Sequence, residues 1–176
     1  NFLKALKTKV NLFRPSLANI DRISQLTNKT NQFNFTTVRL DAGDIGLKIE
    51  SGDDLVIASR IEDRFGVYGI TSVLYIKLAD GVAVIENWIM SCRVFSKTAE
   101  YAIMDALIKY LKALGMHSVE ACYIPTKKNA VISELLPKFG FLEVGVNAKN
   151  SSGLHFELDL TQSKKIQHFC EVVNEL

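Results

Sequence analysis

Along this chain the spacing between apolar positions switches from three or four residues to two and back, and the switches mark the elements. Phe2, Leu3, Ala5 and Leu6 sit at helical spacing in a segment too short to hold a helix alone, so residues 1–8 read as a linker helix. Lys9–Phe13 predicts a strand closed by Pro15, which has no amide to give to a ladder. Ile20, Ile23 and Leu26 recur at three-residue intervals, with Asp21 near the start, and predict an amphipathic helix over Asn19–Asn31. The amides of Asn31, Gln32 and Asn34 around Phe33 then interrupt the pattern.

From Leu55 the texture changes to short apolar runs. Leu55–Ile61, Ile70–Lys77 and Val82–Ser91, separated by Gly66, Gly69 and Asp80-Gly81, predict three consecutive antiparallel strands, with Tyr68, Tyr75 and Trp88 as sheet packing. Asp80-Gly81 is the stronger of the two hairpin signals. Met104, Leu107, Ile108, Leu111 and Leu114 mark one face of a helix over Glu100–Leu114, ended by Gly115 in a left-handed cap. Ser118–Ile124 predicts a strand ahead of Pro125, and Ala130–Phe139 a shorter helix stopped by Gly140. Phe141–Val146 and Leu154–Leu160 predict a last strand pair around the polar turn Asn147–Gly153. Ile166, Phe169, Cys170 and Val173 share one face of a closing helix over 163–176. The whole reads as one α+β domain over 9–176, a mixed and mostly antiparallel sheet flanked by helices.

Composition supports that picture and narrows the function classes. A chain of 176 residues that is 48% hydrophobic can bury a core without staples, which argues against disorder and disulfide scaffolds. A net charge of +2 gives no broad basic field, so no nucleic-acid partner is expected. The odd set Cys92, Cys122 and Cys170 points to a reducing, cytoplasmic setting, and scattered His117, His155 and His168 argue against a metal site. No apolar run reaches membrane-helix length and no signal peptide is expected. A first residue of Asn1 instead of methionine reads as a piece of a longer protein.

The candidate chemistry concentrates where the third strand of the meander enters the long helix, at Met90-Ser91-Cys92-Arg93-Val94-Phe95-Ser96-Lys97-Thr98-Ala99. A helix start presents unpaired amides and the positive end of a dipole, and Arg93 and Lys97 add charge, so a phosphate-bearing ligand fits. The alternative is an ordinary helix start capped by Ser96 or Thr98. Cys92, beside Arg93 and ahead of that start, suits a low-pKa nucleophile holding an acyl group, or else a small buried filler. Arg39 and Arg60 fit contact with an acidic partner or plain solvation.

The element order, the Arg-x-x-Ser-x-Thr turn, Asn129 before a helix and the ending Lys138-Phe139-Gly140-Phe141 resemble the GNAT (N-acetyltransferase-like) superfamily over residues 9–160. Thr30–Asn34, Asp63–Gly66, Met90–Val94 and Tyr123–Asn129 further resemble the C-terminal domain of FkbH-like proteins. The resemblance implies a GNAT-like fold whose fourth and fifth strands, Val82–Ser91 and Ser118–Ile124, splay apart. It also implies a linked HAD-type domain preceding residues 1–8, an acyl carrier protein as partner, and coenzyme A or carrier-bound phosphopantetheine as cofactor. The implied activity is an acyltransferase-type step toward a glyceryl or methoxymalonyl-type extender unit, with a non-catalytic carrier-docking module as the alternative.

Residue by residue, the resemblance implies cofactor contacts from Met90, Cys92, Arg93, Val94, Ser96, Lys97, Thr98 and Ala99. It implies substrate contacts from Asn31, Gln32, Asn34 and Tyr123, and catalytic positions at Glu86, Asn129 and Cys92. Amides at 31, 32 and 34 suit the amides of a pantetheine arm or, equally, an Asx-type turn. Glu86 is a general base or an exposed strand carboxylate. Two departures stand out: Ser96 and Thr98 replace loop glycines, and Leu136 stands where a proton-donating tyrosine is common.

Overall fold

The computed structural model describes residues 1–145 and 153–176. A four-residue helix α1 (Phe2–Ala5) leads into strand β1 (Lys9–Phe13) and, after a short 3-10 turn, helix α2 (Ile20–Lys29). A two-residue strand β2 (Phe33–Asn34), a helix α3 (Ala42–Glu50) and the meander β3 (Asp54–Asp63), β4 (Gly66–Ala79) and β5 (Val82–Met90) follow. The chain continues through α4 (Ala99–Ala113), β6 (Ser118–Tyr123), α5 (Leu135–Lys138), β7 (Leu142–Val144), β8 (Leu154–Asp159) and β9 (Glu171–Asn174). The strands form one sheet in the order β7-β8-β6-β5-β4-β3-β1-β9, with β2 attached to β5.

Two apolar layers cover the sheet. On one face α2 and α3 bury Ile23, Leu26 and Ile45 against Val56, Val73, Tyr75 and Ile89. On the other, α4 buries Ile103, Met104, Leu107 and Leu111 in a core shared with Ile57, Ile85, Trp88 and Val119 of the sheet. The Asp80-Gly81 turn joins Ala79 to Val82 with both turn residues at positive φ, as a two-residue hairpin requires. Gly81 is further constrained because a Cβ there would lie 2.5 Å from the His117 ring. Helix α4 ends as its cap predicts. Gly115 takes φ +82, its amide reaches the Lys112 carbonyl and the Met116 amide reaches the Leu111 carbonyl, each at 3.0 Å.

Four features depart from the sequence reading. First, α3 has no counterpart among the predicted elements. Asp41 caps it, accepting from the Asp44 amide at 2.8 Å, while Gly43 and Gly46 weaken its pattern. Second, the Ala130–Phe139 helix is broken into a 3-10 turn (Ala130–Ile132) and the single turn α5. Pro137 has no amide for the Ser133 carbonyl, and its ring crowds that turn. Third, Leu114 is 41% exposed and so lies off the buried face of α4. Fourth, the closing segment is not a helix. Residues 163–170 cross α4 without regular structure, and β9 then pairs parallel with β1, Val10 opposite Val172. The outer edge of β1 supplies the reason: Glu171 and Glu175 amides bond the Thr8 and Leu12 carbonyls at 2.9 Å. Buried Asp105 fixes the crossing by accepting from the Ile166 amide at 2.9 Å. Of the predicted strand Phe141–Val146, residues 142–144 are strand, and Val146 with most of the Asn147–Gly153 turn lies outside the described residues.

Strands β5 and β6 run parallel and pair from Val82 with Ser118 to Ile85 with Ala121. Beyond that point they separate, and the bulged residue Glu86 marks the divergence, because Tyr75 pairs with Asn87 and Ile76 with Ile85.

Candidate functional site

The divergence of β5 and β6 is filled by the chain itself. β2 pairs with the far half of β5, Phe33 opposite Met90 and Asn34 opposite Ile89. Phe35 then bridges the two strands: its amide donates to the Trp88 carbonyl at 3.3 Å, and its carbonyl accepts from the Ile124 amide at 2.8 Å. The rings of Phe33 and Phe35 pack in the core with Trp88, Phe95 and Tyr123, at centroid separations from 5.0 to 6.1 Å. Asn129, fully buried, holds the arrangement. Its amide nitrogen donates to the carbonyls of Asn34 and Ile124 at 2.9 Å. Its Oδ1 accepts from the Thr126 amide at 2.7 Å and the Tyr123 hydroxyl at 3.1 Å. Asn34 continues the network, accepting from Asn87 at 3.0 Å and from the Thr37 amide at 2.8 Å. Asn34, Tyr123 and Asn129 thus come together, with their polar atoms bonded to each other and to backbone.

The turn from β5 to α4 has the shape that glycines would give it. Ser96 and Thr98 have φ values of 70° and 63°, the left-handed region, which costs a residue with a Cβ on the order of 1–3 kcal/mol. Met90, Val94 and Ala99 are fully buried core residues on either side of the turn. The Lys97 ammonium is committed to the β3–β4 hairpin, 2.6 Å from Asp63 Oδ2 and 2.9 Å from the Tyr68 hydroxyl. Burial alone would raise the Asp63 pKa; Lys97, the Phe65 amide and Tyr68 outweigh it and hold that carboxyl below its ordinary value. Thr98 Oγ1 accepts from the Phe169 amide at 3.2 Å and lies 3.6 Å from Cys170 Sγ.

At the tip of α4 the anion position belongs to Glu100, which is 4% exposed. Burial raises its pKa, the amides of Ser96 and of Glu100 itself pull in the other direction, and Oε2 has no hydrogen-bond partner. A phosphate at this tip would meet a carboxylate already there.

Two concavities flank the closed slot. One, about 550 Å³, lies over the β5–β6–β8 surface and is lined by Thr36, Glu86, Glu120, Cys122 and His155 among others. Glu86 lines it but is paired with Lys48 at 3.0 Å, and Lys48 lies 3.7 Å from Asp54. The second, about 370 Å³, lies between α2 and the β5–α4 turn, where Asn31, Gln32 and Cys92 meet Arg22 and Lys29. Here Cys92 is exposed, not a buried filler. Arg22 and Lys29 escaped the sequence reading, although with Leu26 they form a single i, i+4, i+7 stripe on α2. Leu136 is 3% exposed in the core, so no phenol stands at that position. Among the described residues there is no His, Cys, Asp and Glu group that could hold a metal ion, and no helix long and apolar enough to cross a membrane.

No protein-family model matches this sequence, and no curated protein matches it. Solved structures do match in shape. The PaiA N-acetyltransferase of Thermoplasma acidophilum, solved in complex with coenzyme A, shares 11% identity at a TM-score of 0.68, over 86% of this chain and 99% of that one. The ribosomal-protein-S18-alanine N-acetyltransferase of Escherichia coli shares 9% identity at a TM-score of 0.66, over 90% and 99%. The spermidine N-acetyltransferase of Vibrio cholerae, solved with coenzyme A and spermine, shares 12% identity at a TM-score of 0.66, over 88% and 97%. This chain therefore has the GNAT fold, an α+β architecture with a mixed, mostly antiparallel sheet flanked by helices.

Proposed function

We propose that this domain is a GNAT-like carrier-docking module, which receives an acyl carrier protein and presents its phosphopantetheine arm to a linked HAD-type domain. The observation that carries this reading is the seat of Phe33–Phe35. A pantetheine arm threaded between β5 and β6 needs the β5 edge for hydrogen bonds, and that edge is taken by Phe33, Asn34 and Phe35. Coenzyme A bound in that way does not fit the residues present. The helix tip, with Glu100 buried in it and Lys97 held by Asp63, argues the same way. Positive side chains in the two cavities that share Asn31, Lys29 in one and Lys127 and Lys128 in the other, suit an acidic partner.

A second reading keeps the acyltransferase-type chemistry for a glyceryl or methoxymalonyl-type unit, with Glu86 as base. The retained left-handed conformation at Ser96 and Thr98 favours it, since strain of that kind persists where a ligand uses it. Calorimetry on the full-length protein separates the two. Docking predicts binding of the phosphopantetheinylated carrier, weakened at least about tenfold by charge reversal at Lys127 and Lys128, and no binding of coenzyme A. It also predicts product formation unaffected by Glu86→Gln. If coenzyme A binds and Glu86→Gln abolishes transfer with carrier binding unchanged, the transferase reading replaces docking.

A further inference from the structure

The irregular segment 163–170 lies across α4 like a strap and is fastened to that helix and the turn before it. Asp105, buried on α4, accepts from the Ile166 amide at 2.9 Å. Thr98 Oγ1 accepts from the Phe169 amide at 3.2 Å, and Cys170 Sγ donates to the Lys97 carbonyl at 3.7 Å. The strap covers two things. Residues 162–167 form one wall of a cavity of about 540 Å³, with Tyr101, Lys138, Phe139, Gly140 and Leu158 as the rest of its lining. Past the strap, β9 shields the outer edge of β1.

His168 holds the strap's bend from inside. Its Nδ1 accepts from the Cys170 amide at 3.3 Å, while its Nε2 lies 3.8 Å from Asp105 Oδ2. An accepting Nδ1 carries no proton, so the ring that fits is neutral, with its hydrogen on Nε2. Protonation places a second hydrogen on Nδ1, and two donors then face each other. Asp105 is poorly placed to offset this, because it already holds the Lys109 ammonium at 2.7 Å and the Ile166 amide. Lys109 from α4 and Lys165 from the strap both repel a cation at His168. Lys4 from α1 adds charge nearby, 5.8 Å from the centroid of the Phe169 ring. Burial would raise the Asp105 pKa; Lys109 and the Ile166 amide outweigh it and keep that carboxyl ionised in mild acid. Burial raises the Cys170 pKa, so its thiol stays neutral.

We propose that residues 163–176 form a strap that mild acid releases: a proton on His168 breaks its bond to the Cys170 amide, loosens the crossing over α4, and uncovers the cavity beside Tyr101 and the edge of β1. The direction agrees with the setting of the imidazole, since burial first, and Lys109 and Lys165 besides, hold its pKa below the ordinary value against the pull of Asp105. A base of that kind stabilises the strapped form at neutral pH, and the stabilisation is lost as pH falls through the ordinary histidine value of about 6.5. Glu100, whose charge also reaches Cys170, acts in the opposite sense. Folding tightens its hold on a proton, so acid favours the folded form there and cannot imitate release. The strap stands independently of carrier docking, because none of these residues belongs to the Phe33–Phe35 seat.

Hydrogen exchange read by mass spectrometry follows peptides covering 163–176 and Lys9–Phe13 between pH 7.5 and pH 5, each rate divided by the intrinsic rate at that pH. Protection of both segments is expected to fall together by at least about threefold. The midpoint of the fall is expected to match the titration of the His168 imidazole, followed by NMR. His168→Gln carries no titrating proton and is expected to keep its protection constant over the same range. His168→Lys, with a permanent charge and no acceptor, is expected to be released already at pH 7.5. Protection that does not fall, that falls in only one segment, that has a midpoint away from the His168 titration, or that falls equally in His168→Gln would overturn the proposal. The match of midpoints is measured on the parent protein and needs no variant to fold.

Discussion

Asn129 shows how a residue can stand where a family motif puts it and still act through the backbone. Its four polar contacts tie Asn34, Ile124, Thr126 and Tyr123 into one buried knot. Asn129→Ala leaves the two carbonyls and one amide without partners, and an expected loss of about 3 kcal/mol would register in urea unfolding. Ser96 and Thr98 share a backbone strain but differ in attachments. Ser96→Gly is expected to stabilise by about 0.5–1 kcal/mol, because relief of the left-handed conformation exceeds the added chain entropy. Thr98→Gly gains the same relief but loses the hydroxyl that accepts from Phe169, so thermal melting should show a smaller gain or a loss. Glu100 sets a pH dependence. A carboxyl whose pKa folding raises holds its proton more tightly in the folded state, so stability falls as pH climbs above the ordinary carboxylate range. Glu100→Gln is therefore expected to melt higher than the parent protein at pH 7, with the gap closing near pH 4. None of these roles was legible in the sequence beyond the positions themselves, since burial and partners come from residues up to 95 apart.

At the level of elements, the meander β3–β5 and helix α4 were legible because punctuation and period agree within short windows. Asp80-Gly81 and Gly115 end their elements through backbone angles that their residue types favour. The failures have separate causes. The spacing of Ile166, Phe169, Cys170 and Val173 suits a helix, and what overrides it is an open edge on β1, nearly the whole chain away in sequence. α3 hid behind two glycines, one of which lets α2 approach: a Cβ on Gly46 would sit 3.2 Å from the Ile20 side chain. The strand assignment makes its own prediction. Glu171→Pro removes the amide that bonds the Thr8 carbonyl and should speed hydrogen exchange along Lys9–Phe13, whereas a surface helix there would leave β1 unaffected.

Taken as a whole, the molecule has the GNAT fold while its own chain fills the gap where β5 and β6 diverge, and sequence could convey the first of these but not the second. The Thr30–Asn34 block was visible as unusual polar chemistry. That Phe33 and Phe35 enter the cleft depends on the divergence of β5 and β6, which no local pattern reports. The pairing of Lys9–Leu12 with Glu171–Asn174 has a consequence for synthesis. On a ribosome β1 leaves the exit tunnel well before β9 and must wait for the whole stretch between them to be made before its outer neighbour arrives. The nascent domain would therefore carry an unshielded border through most of its own synthesis, a window in which a holdase chaperone has something to grip.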